Sequence, residues 1–219
     1  MIIAPTKISK REISRLVDSH YPVLLFDRYF PEMRVNYVII NNEESSYKLV
    51  RHLIDKGFRK IAIITTNPHL LTMDMRREGY ANALSDAHIR INPDLYGEVT
   101  YVNYQDNIYS TLDRIFSAVP DVDAFFFTTH ILAIEALRYF YDRGIDINDG
   151  NWGLASMHED SLFRVLAPKM NIAHFPIEEI GSNAVRILLN QIRQSNDPAA
   201  GEYVPESKVL PCRMEFRDQ

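Results

Sequence analysis

The sequence predicts an α/β fold of parallel sheets covered by helices on both faces, and three observations carry that expectation. Short runs of β-branched and aromatic residues alternate almost without a break with helix-length segments of 3.6 periodicity. The 219-residue chain is 46% hydrophobic and 24% charged, enough to bury one large core or two smaller ones. Strands separated by helices of this length pair parallel, through crossovers that lay the helices on the sheet faces.

Residues 1–4 form the first expected strand and 9–19 the first helix, with Ile13, Leu16 and Val17 on one face. Strands follow at 22–26 and 37–40. A helix over 44–56 then turns Tyr47, Val50, Leu53 and Ile54 inward and stops at Gly57, a residue suited to a left-handed cap. A strand at 60–65 and a helix over 73–87, apolar through Tyr80, Ala83 and Leu84, repeat the pattern. The next pairs are a strand at 98–102 with a helix at 108–119, and a strand at 124–128 with a helix at 131–143 ending at Gly144. Strands at 152–156 and 172–175 follow, then a long helix over 177–194 carrying Ile180, Ala184, Leu188 and Ile192. A polar linker at 195–201 and a last strand near 208–212 complete the chain, and the lone Trp152 reads as packing. Sheets of this kind hold ligands at the carboxyl ends of their strands, so function is sought in the loops after Phe26, Thr65, Val102, Thr128 and Ser156.

A net charge of -5 with scattered Lys and Arg offers phosphate no long-range attraction, so this segment is not expected to grip nucleic acid alone. Cys212, the single cysteine, fits a reducing compartment and also a periplasmic one; the cytoplasm is favoured. The apolar run at residues 1–6 is far shorter than a signal core or a membrane span, so no export and no membrane contact are expected. The eight glycines form neither a Gly-x-Gly-x-x-Gly turn nor a P-loop, and no Gly-x-Ser-x-Gly elbow is present. The seven histidines are dispersed, without the spacing that collects a metal ion. No cofactor, metal or catalytic residue is therefore expected, and His158-Glu159-Asp160 reads as a solvated loop.

Several segments spell out a pattern in order. They are Pro22-Val-Leu-Leu-Phe-Asp27-Arg28, Tyr37-Val-Ile-Ile-Asn-Asn42, and Leu53-Ile-Asp-Lys-Gly57-Phe-Arg59-Lys-Ile61-Ala. After them come Arg76-Arg-Glu-Gly79-Tyr80-x-x-Ala83-Leu84, Asp123-Ala-Phe-Phe-Phe-Thr-Thr-His130 with Ala136-Leu137, and Phe175-Pro176-x-x-x-x-Gly181-x-x-Ala184. The ordered set resembles the LacI/GalR family of transcription regulators along the whole chain. The resemblance implies a two-lobed, periplasmic-binding-protein-like (type I) α/β fold, with crossovers near Asn41, Asn171 and Tyr203. One lobe would comprise 1–40 with 172–202 and the other 41–171 with 203–219. It further implies a sugar or related metabolite as effector in the cleft between the lobes, a homodimer, and operator DNA bound only through a helix-turn-helix head. Family members carry that head, a hinge helix and two βα units before a strand like residues 1–5, so the first lobe is expected to be incomplete at its start.

The resemblance also marks site residues. Arg76 corresponds to an arginine pointing into the cleft, where its fork could hold two hydroxyls or a carboxylate; the other reading is a helix-surface arginine beside Glu78. Thr72 is a cleft hydroxyl or a helix N-cap, and Asp27 a ligand acceptor or a local ion-pair partner of Arg28. Tyr104 stands near an aromatic that stacks on effector rings, or is core. Thr129 and His130 replace the family's Asn-Asp, and Met157 stands where an aspartate commonly takes sugar hydroxyls. These departures point away from a typical monosaccharide mode and toward a less polar or an acidic effector anchored by Arg76. His130 and His158 could add a proton-dependent contact or simply pack. Arg76→Ala is expected to abolish effector binding and leave the fold intact. The favoured function is the effector-binding and dimerisation domain of a regulator, not an enzyme; the alternatives are a solute-binding protein of a sugar-type transporter and an enzyme on a doubly wound sheet.

Overall fold

The computed structural model describes residues 1–6, 9–67, 70–100, 102–197, 199, 201 and 203–217. The chain begins with β1 (Ile2–Ile3), α1 (Lys10–Asp18), β2 (Leu24–Phe26), β3 (Asn36–Ile40), α2 (Asn42–Asp55), β4 (Ile61–Asn67) and α3 (Leu71–Asp86). It continues with β5 (Tyr96–Thr100), α4 (Tyr104–Ala118), β6 (Ala124–Phe127), α5 (His130–Asp142), β7 (Gly153–Met157) and α6 (Phe163–Leu166). It ends with β8 (Asn171–His174), α7 (Ile177–Ser195), β9 (Ser207–Leu210) and β10 (Arg213–Glu215). Gly57 and Gly144, just past α2 and α5, both have positive φ, as their sequence positions predict.

The elements divide into two units. The first takes Met1–Asn41, Leu70–Thr72 and Pro176–Pro211. Its four strands run in the order β1-β2-β3-β9, all parallel. Successive side chains of a strand point to opposite faces, and β2 shows the consequence. Leu24 packs with Val38, Ala184 and Ile187 under α7, whereas Leu25 packs with Ile13, Val23 and Val35 under α1. Asn36, buried at the start of β3, ties the pieces together. Its amide donates to the Val23 carbonyl at 3.0 Å and to Gln191 on α7 at 2.8 Å, while its Oδ1 accepts from the Tyr203 hydroxyl and the Glu206 N–H.

The second unit takes Asn42–His69, Met73–Phe175 and Cys212–Gln219 around a six-stranded sheet of order β10-β8-β7-β6-β4-β5. β6 is Ala-Phe-Phe-Phe and fully buried. Phe125 and Phe127 face the cluster built by α4 and α5, and Phe126 stacks on Tyr80 of α3 on the other side. Trp152 packs on Phe116, Phe125 and Phe140, so it is a packing residue.

The α/β expectation holds, with local differences that matter later. β10, antiparallel to β8, and the single-turn α6 have no periodic signal and were not expected. β9 pairs with β3, Val38 opposite Lys208, so 203–211 sit in the first unit and the boundary expected near Tyr203 falls after Pro211. β8 pairs with β7, Ser156 opposite Ile172, which moves the boundary expected near Asn171 to Phe175. The strand expected at 98–102 begins two residues earlier, because a 3₁₀ turn at Pro93–Leu95, held by Asn92 Oδ1 on the Asp94 N–H, feeds it in. Tyr101 of that span, and Pro198 and Ala200 of the expected linker, lie outside the described residues.

Candidate functional site

In the second unit β4 leads to β5 on one side and β6 lies on the other, so their connections diverge at the carboxyl ends of β4 and β6, the place where sheets of this kind hold ligands. Thr128 stands at that point. Its N–H donates to the Ile64 carbonyl at 3.0 Å and its hydroxyl to Thr65 Oγ1 at 3.2 Å. The Thr128 carbonyl accepts Nη1 of Arg76 at 2.6 Å, and Arg76 Nε donates to Asn42 Oδ1 at 2.7 Å. Asn42 is the first residue of α2, and Arg76 projects from the second turn of α3. A guanidinium suits this place because one planar fork serves a backbone carbonyl and a side-chain amide together. Arg76 is only 4% exposed, and its Cζ lies 5.5 Å from the centre of the Phe175 ring.

The amino end of α5 stands at the same edge. Thr129 caps it, Oγ1 accepting the Leu132 N–H at 3.4 Å, and the first-turn amides of such a helix carry partial positive charge. The His130 ring meets that of His158 edge-on at 5.0 Å, and His158 stacks on Phe175 at 4.6 Å. One phenyl ring thus joins the guanidinium to the imidazole pair. His158 follows β7 with φ 72, a left-handed conformation that costs a non-glycine residue on the order of 1 kcal/mol. Its N–H bonds the Ala173 carbonyl at 3.0 Å, and its buried Nδ1 has no partner among the described residues.

Burial is the main force holding both imidazoles below the ordinary histidine range. For His158 the facing His130, Arg76 and His174 add to it and Glu159 opposes; for His130 Asp160 opposes and Arg76 adds. His174 bridges Glu159 at 2.8 Å and Glu215 at 2.6 Å. Among the described residues no group of three His, Cys, Asp or Glu is arranged to hold a metal ion. The assembled groups are hydrogen-bond donors, aromatic faces and titratable rings, a set that can hold a small polar molecule.

Of the residues marked from sequence, Arg76, Thr129 and His130 meet here. Met157 does not. β7 runs one residue further than expected, Met157 is its last residue opposite Ala173, and its side chain is 0% exposed, so the position that turns outward is His158. Tyr104 opens α4 and packs against the core of the second unit, the simpler of its two readings. Asp27 lies in the first unit, where it ends β2 with φ 64 and pairs with Arg28 Nε at 3.3 Å. Thr72 is the second residue of α3 and so not its cap; it is buried, and its Oγ1 has no partner among the described residues. Asn42, Thr128 and Phe175 were not marked. Asn42 and Phe175 do occur in the motifs, but Thr128 contributes a backbone carbonyl, which no residue type announces.

Comparison with known proteins matches residues 50–216 to the periplasmic binding protein-like domain. The ribose operon repressor of Haemophilus influenzae is 27% identical over 176 residues, covering 80% of this chain and 52% of the repressor. A probable HTH-type transcriptional regulator of Paenibacillus polymyxa, EndR, is 26% identical over 197 residues, covering 89% and 56%. The chain spans about half the length of the curated relatives it matches. Among solved structures, the complex of the transcriptional regulator CelR with cellobiose superposes with a TM-score of 0.83 at 21% identity, over 100% of this chain and 64% of that one. A LacI family regulator from Enterococcus faecium with bound ribose gives 0.81 at 21%, over 99% and 77%. At these identities the likeness establishes the fold.

Proposed function

The chain belongs to the periplasmic binding protein-like domain family, and from that premise we propose that it is the effector-binding domain of a LacI-type transcription regulator. Its effector is a sugar or related metabolite, which it binds without altering. The observation that carries this reading is the gathering of Arg76, His130, His158 and Phe175 at the divergence of β4 and β6, where sheets of this kind hold ligands. The matched curated relatives named above are transcription regulators and not enzymes, which supports a binding role over a transporter's solute receptor or a catalyst. In this reading the two units serve as the family's two lobes. The parent protein is a cytoplasmic homodimer that reaches operator DNA through a separate helix-turn-helix head. The effector biases the dimer between two states by its differential affinity for them.

The test is a thermal-shift screen of sugars, sugar acids and sugar phosphates, with recovery of each hit. A ligand at 100 times its Kd adds about 2.7 kcal/mol, or about 5–10 °C at roughly 2–4 °C per kcal/mol. A stabilising compound recovered unchanged supports the reading; one recovered chemically altered refutes it.

A further inference from the structure

A surface helix keeps one apolar stripe for its own core and turns polar residues outward. α7 carries two. Ile180, Ala184 and Ile187 recur at steps of four and three and pack with Leu24 and Val38 of the first unit's sheet. Glu178, Ser182, Val185, Leu189 and Ile192 repeat those steps on the outer side, where Val185 is 50%, Leu189 45% and Ile192 36% exposed. A bare apolar stripe of this kind marks an interaction surface. Its order along the helix says what fits it. Gly181, whose added Cβ would meet nothing within 4 Å, and Ser182 keep the stripe low at one end, and Leu189 and Ile192 raise it at the other. Gly181, Ser182, Val185 and Leu189 line a shallow hollow there. Charge is ordered the same way. Glu178 lies in the first turn and Arg193 in the last, both exposed, and neither makes an ion pair among the described residues, whereas Arg186 is already held by Glu206 at 2.6 Å.

A stripe that is low and acidic at its start, high and basic at its end, is complementary to itself run backwards. We propose that α7 pairs with α7 of a second copy of this chain, antiparallel, about a two-fold axis between residues 185 and 186. That register sets Ser182 opposite Leu189 and Glu178 opposite Arg193, and the two-fold makes each contact twice. Leu189 of each copy settles over Ser182 of the other, on the low ground beside Gly181, the large-against-small fit by which helix surfaces interdigitate. Glu178 meets Arg193 of the other copy at both ends of the seam, where flanking ion pairs set orientation. A parallel pairing would bring Glu178 to Glu178 and Arg193 to Arg193, and repel. Ile2 on the outermost strand, opposite Leu24 and so on the face of the sheet that α7 covers, is 40% exposed and adds apolar surface to that side. One pair of 19-residue helices buries an area at the low end of specific interfaces, below roughly 1,200 Å² in total, so the Kd is expected on the order of micromolar. The pairing does not depend on what the domain binds, and the failure of either reading leaves the other intact.

The experiment is sedimentation velocity of the 219-residue chain over a wide concentration series through the micromolar range, with circular-dichroism melts to verify that each variant stays folded. The wild type is expected to pass from monomer to dimer. Leu189→Asp should weaken the dimer more than about tenfold, because it places a charge in the seam of both copies. Glu178→Arg and Arg193→Glu each set like charges opposite one another and should weaken it by about tenfold. The double variant restores opposite charges in the same register and should recover most of the wild-type association. Glu179→Arg changes the same net charge and the same helix end from a position off the stripe, and should leave the dimer unchanged. A chain that stays monomeric throughout overturns the proposal and leaves the stripe to another segment or another protein. A dimer indifferent to Leu189→Asp, or one that the double variant fails to rescue, overturns it as well.

Discussion

Replacing Gly79 by alanine tests how closely α2 and α3 approach. In the helix interior, alanine is favoured over glycine by about 1 kcal/mol, so propensity alone makes Gly79→Ala stabilising. The packing reverses the sign. A Cβ at position 79 would meet the Glu43 carbonyl oxygen at 2.2 Å and Ser46 Cβ and Tyr47 N at 2.9 Å, where ordinary contact begins near 3.4 Å. Two of those atoms are backbone and cannot rotate away, so the helices must part by roughly 1 Å, and a gap of that size forfeits about a quarter to a half of each contact it opens. Overpacking of this kind costs about 1–3 kcal/mol, and the rigidity of the neighbours puts this site at or above the upper end. Less the propensity gain, about 2 kcal/mol of net destabilisation is expected. Trp152 is the only tryptophan and lies in the same unit, so its fluorescence in urea reads this unit directly. The midpoint should drop, and Tm should fall by about 4–8 °C. Gly181, inside α7, is the control. Nothing lies within 4 Å of its would-be Cβ, so Gly181→Ala should stabilise the first unit by about 1 kcal/mol in a circular-dichroism melt. Equal or greater stability in Gly79→Ala would refute the close approach.

Arg76→Ala removes a buried donor from the Asn42 amide and the Thr128 carbonyl, so it should cost about 1–3 kcal/mol with no ligand present. An unchanged urea midpoint would instead restore the expectation that this variant leaves the fold untouched. Met157→Asp, which would supply the aspartate that the family resemblance leads one to expect, buries a charge at a fully enclosed position and should lose more than about 3 kcal/mol without creating a sugar site. Wild-type stability with new affinity for neutral sugars would show that Met157 does face the ligand edge. Burial holds His130 and His158 below the unfolded histidine value near 6.5, so the folded chain binds fewer protons than the unfolded one. Their contribution is intact above about pH 6.5 and is lost as pH falls toward their folded values. Trp152-monitored urea midpoints at pH 7.5 and 5.5 should therefore differ less in His158→Gln than in the wild type, and equal pH sensitivity would contradict the assignment.

The fold was legible where burial imposes a period. Alternating faces explain why a run such as Phe125-Phe126-Phe127 marks a central strand, with its rings divided between the α4–α5 side and Tyr80. α7, with an apolar stripe on its sheet side, was placed to within a residue at each end, whereas α4 begins at Tyr104, four residues before the start expected for it. β10 escaped because three residues on a sheet edge, partly exposed, generate no period. Strand pairing between distant segments was less legible still. Nothing in residues 203–212 says that β9 will join β3, since that choice is made by partners far away in sequence.

The candidate site was legible in its charges and illegible in its backbone. Arg76 and His130 were found because a motif and a residue type announce them, whereas the Thr128 carbonyl and the φ of His158 leave no mark on the sequence. The consequence is clearest at the end of β7. Every residue of that strand is buried, so no alternation shows where it stops. Met157 was marked because the resemblance aligns it with an aspartate, and the expected strand end at Ser156 left both Met157 and His158 to the loop; a one-residue shift of the end exchanges the inward and outward positions. The first unit repeats the device. Asp27 ends β2 in the left-handed region and donates its N–H to the Val38 carbonyl of the neighbouring strand at 3.2 Å, as His158 does to Ala173 at 3.0 Å. Aspartate takes that conformation readily and histidine is also enriched in it. In both units, therefore, the residue that leaves the ladder is polar and able to turn back on itself. That property, and not its distance from the last apolar residue, is the better guide to the ligand edge of a strand buried on both faces.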